Sequence, residues 1–179
     1  SPVVSAEPQP TSAAAVGAEE KPPEALPAAF RRMPVEASDL MKVLPHRHPF
    51  VFLDRLIELD PGRRAVGIKN VSVSDPVFAG HFPGEPIFPG IFLVEVASHV
   101  AGLVMVGTPK HSLTRGYMAR IKSFKFIRLV RPGDQLRIEA RLKTLVGALG
   151  DFVVSITVNK TEVASGQIAV MFSTEEAVP

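Results

Sequence analysis

Residues 80–102, GHFPGEPIFPGIFLVEVASHVAG, constrain this chain most: a turn dense in Pro and Gly, then a run that only a buried helix accommodates. Pro locks φ near about −65° and Gly opens conformations closed to other residues. Pro83, Gly84, Pro86, Pro89 and Gly90 therefore make a stiff approach that holds its side chains in place. After it, Ile91, Phe92, Leu93, Val94, Val96, Ala97, Val100, Ala101, Leu103 and Val104 run nearly all the way round, as in a helix enclosed by other structure. Glu95 and His99 interrupt the pattern.

A carboxylate and an imidazole on such a helix must be paired, neutralised or functional, because an unpaired buried charge is expensive. A third group, His81, precedes Glu95 by fourteen residues. Local geometry does not close that separation. Either the fold curls the turn back or a second subunit supplies one partner. The helix start at Gly90 and Ile91 adds free backbone N–H groups and the positive end of the helix dipole. Together these supply a base, an acid and an oxyanion-type donor. The alternative for each residue alone is structural: a capped turn with a satisfied histidine, and a carboxylate paired to a neighbour.

With 179 residues and 46% hydrophobic content, the chain suits one domain with a proper core. No run of eighteen apolar residues occurs, so no membrane span is expected, and a net charge of +2 gives no reason to propose nucleic acid or a membrane surface. The charge is uneven, however. Arg115, Arg120, Lys122, Lys125, Arg128 and Arg131 follow one another with no acidic residue between them. This run reads either as a solvated strand face or as a dock for an acidic partner. Without Cys there are no disulfides, no thiolate catalysis and no zinc–cysteine site.

Residues 1–33 read as a Pro/Ala-rich tail or linker, with almost no large apolar side chain to offset the entropy of ordering. Residues 34–175 form the expected domain. Ser38 to Val43 reads as a short helix capped by Ser38. Phe50 to Leu59 and Arg64 to Val73 read as a hairpin turning at Asp60-Pro61-Gly62. The central helix is expected to reach about Gly107, and a polar loop passes through Pro109 and His111. Strands follow from Tyr117 to Val130, then through Leu136, Ile138, Ala140 and Leu142, which alternate with charged residues. Two more cover Asp151 to Val158 and Glu162 to Phe172. The expected fold class is α+β: an antiparallel sheet of five or six strands wrapped around one long helix.

Two segments carry a family resemblance: LPHRHPFVFLDRLIELDPGRRAVGIKNVSVSDPVFAGHFPGEPIFPGIFLVE and YMARIKSFKFIRLVRPGDQL. Both resemble the beta-hydroxyacyl-acyl-carrier-protein dehydratases of the hot dog fold, and the likeness spans about residues 40–173. The resemblance implies an interface-sharing dimer in which His81 and Glu95 come from opposite subunits. It implies loss of water from a 3-hydroxyacyl thioester, giving a trans-2-enoyl thioester, in fatty-acid or polyketide-type biosynthesis. The substrate would ride on phosphopantetheine with no further cofactor. The implied partners are an acyl carrier protein or carrier domain and a second copy of the chain, possible assembly beyond the dimer included, in the cytoplasm. A helical Glu instead of Asp resembles the branch that dehydrates without obligatory isomerisation.

Carried over residue by residue, His81 would take the α-proton and Glu95 would protonate or position the departing hydroxyl. The N–H of Gly90 would bind the thioester oxygen. Phe82, Phe88 and Pro89 would shape the substrate tunnel together with Ile91, and Tyr117 would stand at its mouth, with ordinary strand packing as the alternative for Tyr117. Phe88 stands where relatives commonly have Met, which predicts a changed chain-length preference. His99 stands where relatives have Gln and shares a helical face with Glu95. Neutral, it would replace the amide as a hydrogen-bond partner; protonated, it would oppose Glu95 as an acid. Arg120, Lys122, Lys125 and Arg128 would dock the carrier. His46 matches the family pattern and His48 stands where Tyr is common; on a strand the two would share a face. No metal is expected. The competing readings are an isomerase or thioesterase on the same scaffold, a catalytically silent acyl-binding or scaffold domain, and a metal site built from His81, Glu95 and His99.

Overall fold

The computed structural model describes residues 26–108 and 115–173. The stretch before residue 26 and the loop expected through Pro109 and His111 lie outside the described residues. In chain order the elements are β1 (Val35–Glu36), α1 (Ala37–Val43), β2 (Arg55–Asp60), β3 (Arg64–Asn70), α2 (Gly90–Val104), β4 (Arg115–Phe126), β5 (Gln135–Val146), β6 (Leu149–Val158) and β7 (Thr161–Ser173). Short 3-10 turns cover Ala28–Arg31 and Pro76–Ala79.

All described strands join one seven-stranded antiparallel sheet in the order β1-β2-β3-β5-β6-β7-β4. The strand beyond the five or six expected is β1, whose two residues are too short to show a period of two. β2 begins at Arg55 and not at Phe50, because the chain first makes a turn in which Phe50 N donates to Arg47 O at 2.8 Å. Ser38 does not cap α1. The helix starts one residue earlier, with Glu36 at the cap position and no side-chain hydrogen bond to it.

The alternation in β5 places Leu136, Ile138 and Ala140 on the buried face, and Phe152, Val154 and Ile156 of β6 do the same. This concave face wraps α2 and buries Leu93, Val96, Ala97, Val100, Leu103 and Val104. Gly67 on β3 lets the helix approach closely: a Cβ there would lie 3.0 Å from the Val100 side chain. Leu26 and Phe30 are also buried in this core. On the opposite face Arg64 bonds both Glu58 and Glu139, the latter at 2.7 Å, and ties β2, β3 and β5 together. Burial alone would raise the Glu139 carboxyl, but hydrogen bonds from Arg64 and Arg141 hold it below the usual carboxylate range.

Contrary to the all-round enclosure expected, α2 keeps one open stripe. Ile91 is 61% exposed, and Glu95, Ser98 and Gly102 are half-buried, at spacings of three and four residues. Beside it lies β4, an edge strand paired only to β7, with Met118, Ile121 and Phe126 exposed. The two surfaces meet where the Phe126 ring comes 3.2 Å from the Cβ position of Gly90. Among the described residues no helix is long and apolar enough to cross a membrane.

Candidate active site

The turn before α2 is closed by its own backbone. Phe82 and Glu85 exchange N–H···O bonds at 2.9 Å, and Ile87 N donates to His81 O at 3.0 Å. Pro83 and Gly84 form the bend, and Gly84 has φ +80°, a conformation a side chain would strain. Within this frame His81 Nδ1 lies 2.7 Å from Ile87 O. A carbonyl only accepts, so Nδ1 carries the hydrogen and Nε2 is the lone-pair nitrogen of the neutral ring. The ring stacks on Phe82, with centroids 4.0 Å apart. Pro89 then occupies the cap position of α2 without a side-chain cap bond, which leaves the first-turn N–H groups, Gly90 foremost, without a side-chain acceptor.

Glu95 lies one and a half turns into α2, at a cavity of about 70 Å³. His99 is one turn further and 1% exposed; its Nδ1 lies 3.6 Å from Glu95 Oε1. His46 arrives from the loop after α1, stacks on His99 with centroids 3.9 Å apart, and brings Nε2 to 3.8 Å from the same carboxylate oxygen. Burial first, then the neighbouring His99 and Arg47, push His46 down to about 4. His46 is therefore neutral near pH 7, and its approach to Glu95 is no ion pair there. Its Nδ1 is buried with no hydrogen-bond partner among the described residues.

His46, Glu95 and His99 thus form the titratable cluster, a different trio from His81, Glu95 and His99 of the metal alternative. Their candidate ligand atoms lie within 4.8 Å of one another. Even so, His99 does not suit a metal, since both of its nitrogens face carbonyl oxygens: Glu95 O at 2.7 Å and Phe50 O at 2.8 Å. No lone pair points at the shared space. His46 and His48 do not share a face, because residues 47–50 form a turn and not a strand. His46 lines the Glu95 cavity, and His48 lines a second one of about 320 Å³.

The single chain does not gather the other expected site residues around Glu95. His81 is absent from the lining of its cavity. Phe88 is 3% exposed and lines the second cavity with Phe52 and Phe92. Phe82 and Ile91 are exposed and Pro89 is buried at the start of α2. Gly116 and Met118 line the Glu95 cavity, whereas Tyr117 between them is 46% exposed and points to the other side of β4. Arg120 is held by Asp151 at 2.8 Å, while Lys122, Lys125 and Arg128 are exposed. Sequence reasoning did not bring His46 to Glu95, 49 residues away. The signals it carried were its match to the family pattern and its place beside the helix-stopping Pro45.

A FabA-like domain model matches residues 44–167. The 3-hydroxyacyl-acyl-carrier-protein dehydratase FabZ of Syntrophomonas wolfei is 39% identical over 138 residues, 77% of this chain and 96% of its own. The same-named protein of Thermomicrobium roseum is 40% identical over 134 residues, 75% of this chain and 90% of its own. Among solved structures, the dehydratase heterocomplex ApeI:P of Xenorhabdus doucetiae superposes with a TM-score of 0.65 at 20% identity, covering 81% of this chain and 94% of its own. A sigma28-regulated virulence protein of Campylobacter jejuni gives 0.54 at 19% identity, covering 78% and 90%. At such identities the structural likeness speaks for the fold.

Proposed function

The chain belongs to the FabA-like family of hot dog dehydratases, and from that premise we propose how it removes water from a 3-hydroxyacyl thioester on an acyl carrier protein in fatty-acid biosynthesis. The observation that carries the reading is the His81 Nδ1 bond to Ile87 O, at 2.7 Å, beside an uncapped helix start. His81 Nε2 takes the α-proton. As the electron pair moves onto the thioester, its oxygen gathers charge within reach of the Gly90 N–H. The pair then returns to form the carbon–carbon double bond, the carbon–oxygen bond breaks, and Glu95 gives its proton to the departing hydroxyl, which leaves as water. Returning the proton from His81 to Glu95 restores the site. Proton and hydroxyl balance, so the elimination needs no redox or group-transfer cofactor.

His81 and Glu95 act across a homodimer interface in this reading. The open stripe of α2, the apolar edge of β4 and the absence of His81 from the Glu95 cavity all support that arrangement. The cations Lys122 and Lys125 of β4 and Arg128 just after it receive an acidic carrier bearing the acyl group on phosphopantetheine, and the setting is the cytoplasm. Phe82, Pro89, Ile91 and Tyr117 become tunnel residues only once the second subunit is in place, and Phe88 limits chain length from the second cavity.

Growth of enoyl absorbance from a 3-hydroxyacyl thioester tests the chemistry. His81→Ala and Glu95→Gln each lose roughly a hundredfold or more. Mixing the two inactive variants restores up to about a quarter of wild-type activity, since a random mixed dimer keeps one intact site. Failure of the mixture to recover, with each variant folded and exchanging subunits, removes the shared-site assignment.

A further inference from the structure

Strand alternation puts a lysine on the inside of this sheet. Gly67 of β3 faces α2, where a Cβ would lie 3.0 Å from the Val100 side chain, and Lys69, two residues on, points the same way. Lys69 is 7% exposed, and among the described residues no other Lys or Arg is buried. Its Nζ has one protein acceptor among the described residues, Asp75 Oδ2 at 3.4 Å. The same oxygen already accepts from Ser72 N at 3.1 Å. An ammonium offers three N–H donors, so this long, shared bond uses one of them. Donors left unused on a buried charged group are costly, which makes Lys69 a strong attractor for an acceptor atom.

Lys69 and Asp75 both line the second cavity, of about 320 Å³. Its other walls are apolar: Phe50 and Phe52 from the loop before β2, Val77 from the 3-10 turn, and Phe88 and Phe92 at the start of α2. Phe52 and Phe88 each set a ring against Phe92, with centroids 5.3 and 5.8 Å apart, so this wall is well braced. His48 stands at the exposed rim. An apolar enclosure with a few convergent polar groups, at the lower end of the range of roughly 300–1,000 Å³, is the form of a small-molecule site. Glu95, His46 and His99 line the other cavity and not this one.

We propose that the second cavity binds the hydroxyl-bearing end of a single aliphatic chain, the hydroxyl bridging Lys69 and Asp75 and the chain lying against the phenylalanines. The balance of charge selects the head group. Lys69 and Asp75 offset each other, so a carboxylate would meet Asp75 unpaired and an amine would meet Lys69 unpaired, each at high cost among apolar walls. A hydroxyl is neutral and has both functions the pair can use: its oxygen accepts from Lys69 Nζ, and its hydrogen goes to the Asp75 carboxylate. The site also adjoins the turn that carries His81. Val77 O accepts from His81 N at 3.1 Å, and Phe88 follows Ile87, whose carbonyl holds the His81 ring. The chain therefore has two sources, a free alcohol or the far end of the acyl group itself, and only the second rests on the dehydratase reading.

NMR of the carbon-labelled whole protein, following the methyl signals of Val51 and Val77 during titration with 1-hexanol, reads the site without turnover. Saturable shifts at both residues are expected in the wild type. Lys69→Met, which keeps the length and loses the donors, weakens 1-hexanol by roughly tenfold and leaves n-heptane no weaker. His48→Trp, a change at the exposed rim, closes the mouth to both ligands. Absence of saturable shifts in the folded wild type, or equal weakening of both ligands by Lys69→Met, overturns the proposal. Turnover then separates the sources. For 3-hydroxyacyl thioesters of one length, a several-fold preference in kcat/KM for a chain ending in a hydroxyl, abolished by Lys69→Met, places the acyl group in the cavity. Equal values, with 1-hexanol still bound, assign the site to a free alcohol. Absence of dehydration with either thioester would sink the functional reading and leave the binding result standing.

Discussion

Acid should weaken this fold through one histidine, His46. His46 is driven from 6.5 to about 4 by burial and by its cationic neighbourhood, so the folded protein carries it neutral where the unfolded chain protonates it. A group with a depressed folded value contributes stability that is whole above its unfolded value and is lost as pH falls towards the folded one. The window runs from about pH 6.5 down to about pH 4. At about 1.4 kcal/mol for each tenfold in proton affinity, the gap caps the effect at about 3.4 kcal/mol, and at about 2 kcal/mol by pH 5. The side chain is 28% exposed, so solvent screening reduces the expected loss at pH 5 to about 1 kcal/mol. Urea unfolding at fixed protein concentration reads this directly. For a slope of about 2 kcal/mol/M, the midpoint drops by about 0.5 M between pH 7 and pH 5 in the wild type. His46→Gln, with no titrating ring, shows little of that drop. The Glu58 and Glu139 carboxyls are held below 4.5 by Arg64 and its neighbours, so their own loss comes at lower pH. Equal drops in both proteins would refute the assignment.

Two further outcomes follow from β4. Gly166 on β7 faces a bulge around Ser123, and a Cβ there would lie 2.6 Å from Phe124 Cα, a backbone atom that cannot swing away. Gly166→Ala should cost about 1–3 kcal/mol and lower the thermal midpoint, and an unchanged midpoint would contradict that close approach. Lys122→Glu should raise KM several-fold for carrier-bound substrate while sparing a small pantetheine thioester, and Arg120→Glu should also lower stability because Arg120 already holds Asp151. Equal losses on both substrates would remove the docking role.

Much of this protein was legible along the chain because it depends on periodicity and backbone chemistry, which are local. The alternation of Leu136, Ile138 and Ala140 with Arg137, Glu139 and Arg141 determined a one-sided strand, and the Pro/Gly run before Gly90 determined a rigid turn into a buried helix. The quoted motifs added the family. What the chain could not reveal were relations set by distance in space. Sheet order places β4 at an edge although its sequence is that of an ordinary strand, and its exposed Met118, Ile121 and Phe126 follow from that position. Ile91 reads as core, yet it faces outward because the sheet wraps α2 on all sides but one. His46 reaches Glu95 only because the turn at residues 47–50 folds the loop back over the helix, and His99 acquires its second acceptor, Phe50 O, by the same fold. A side chain's identity is written in the sequence; the number of hydrogen-bonding groups it meets is decided when the loop lands on the helix.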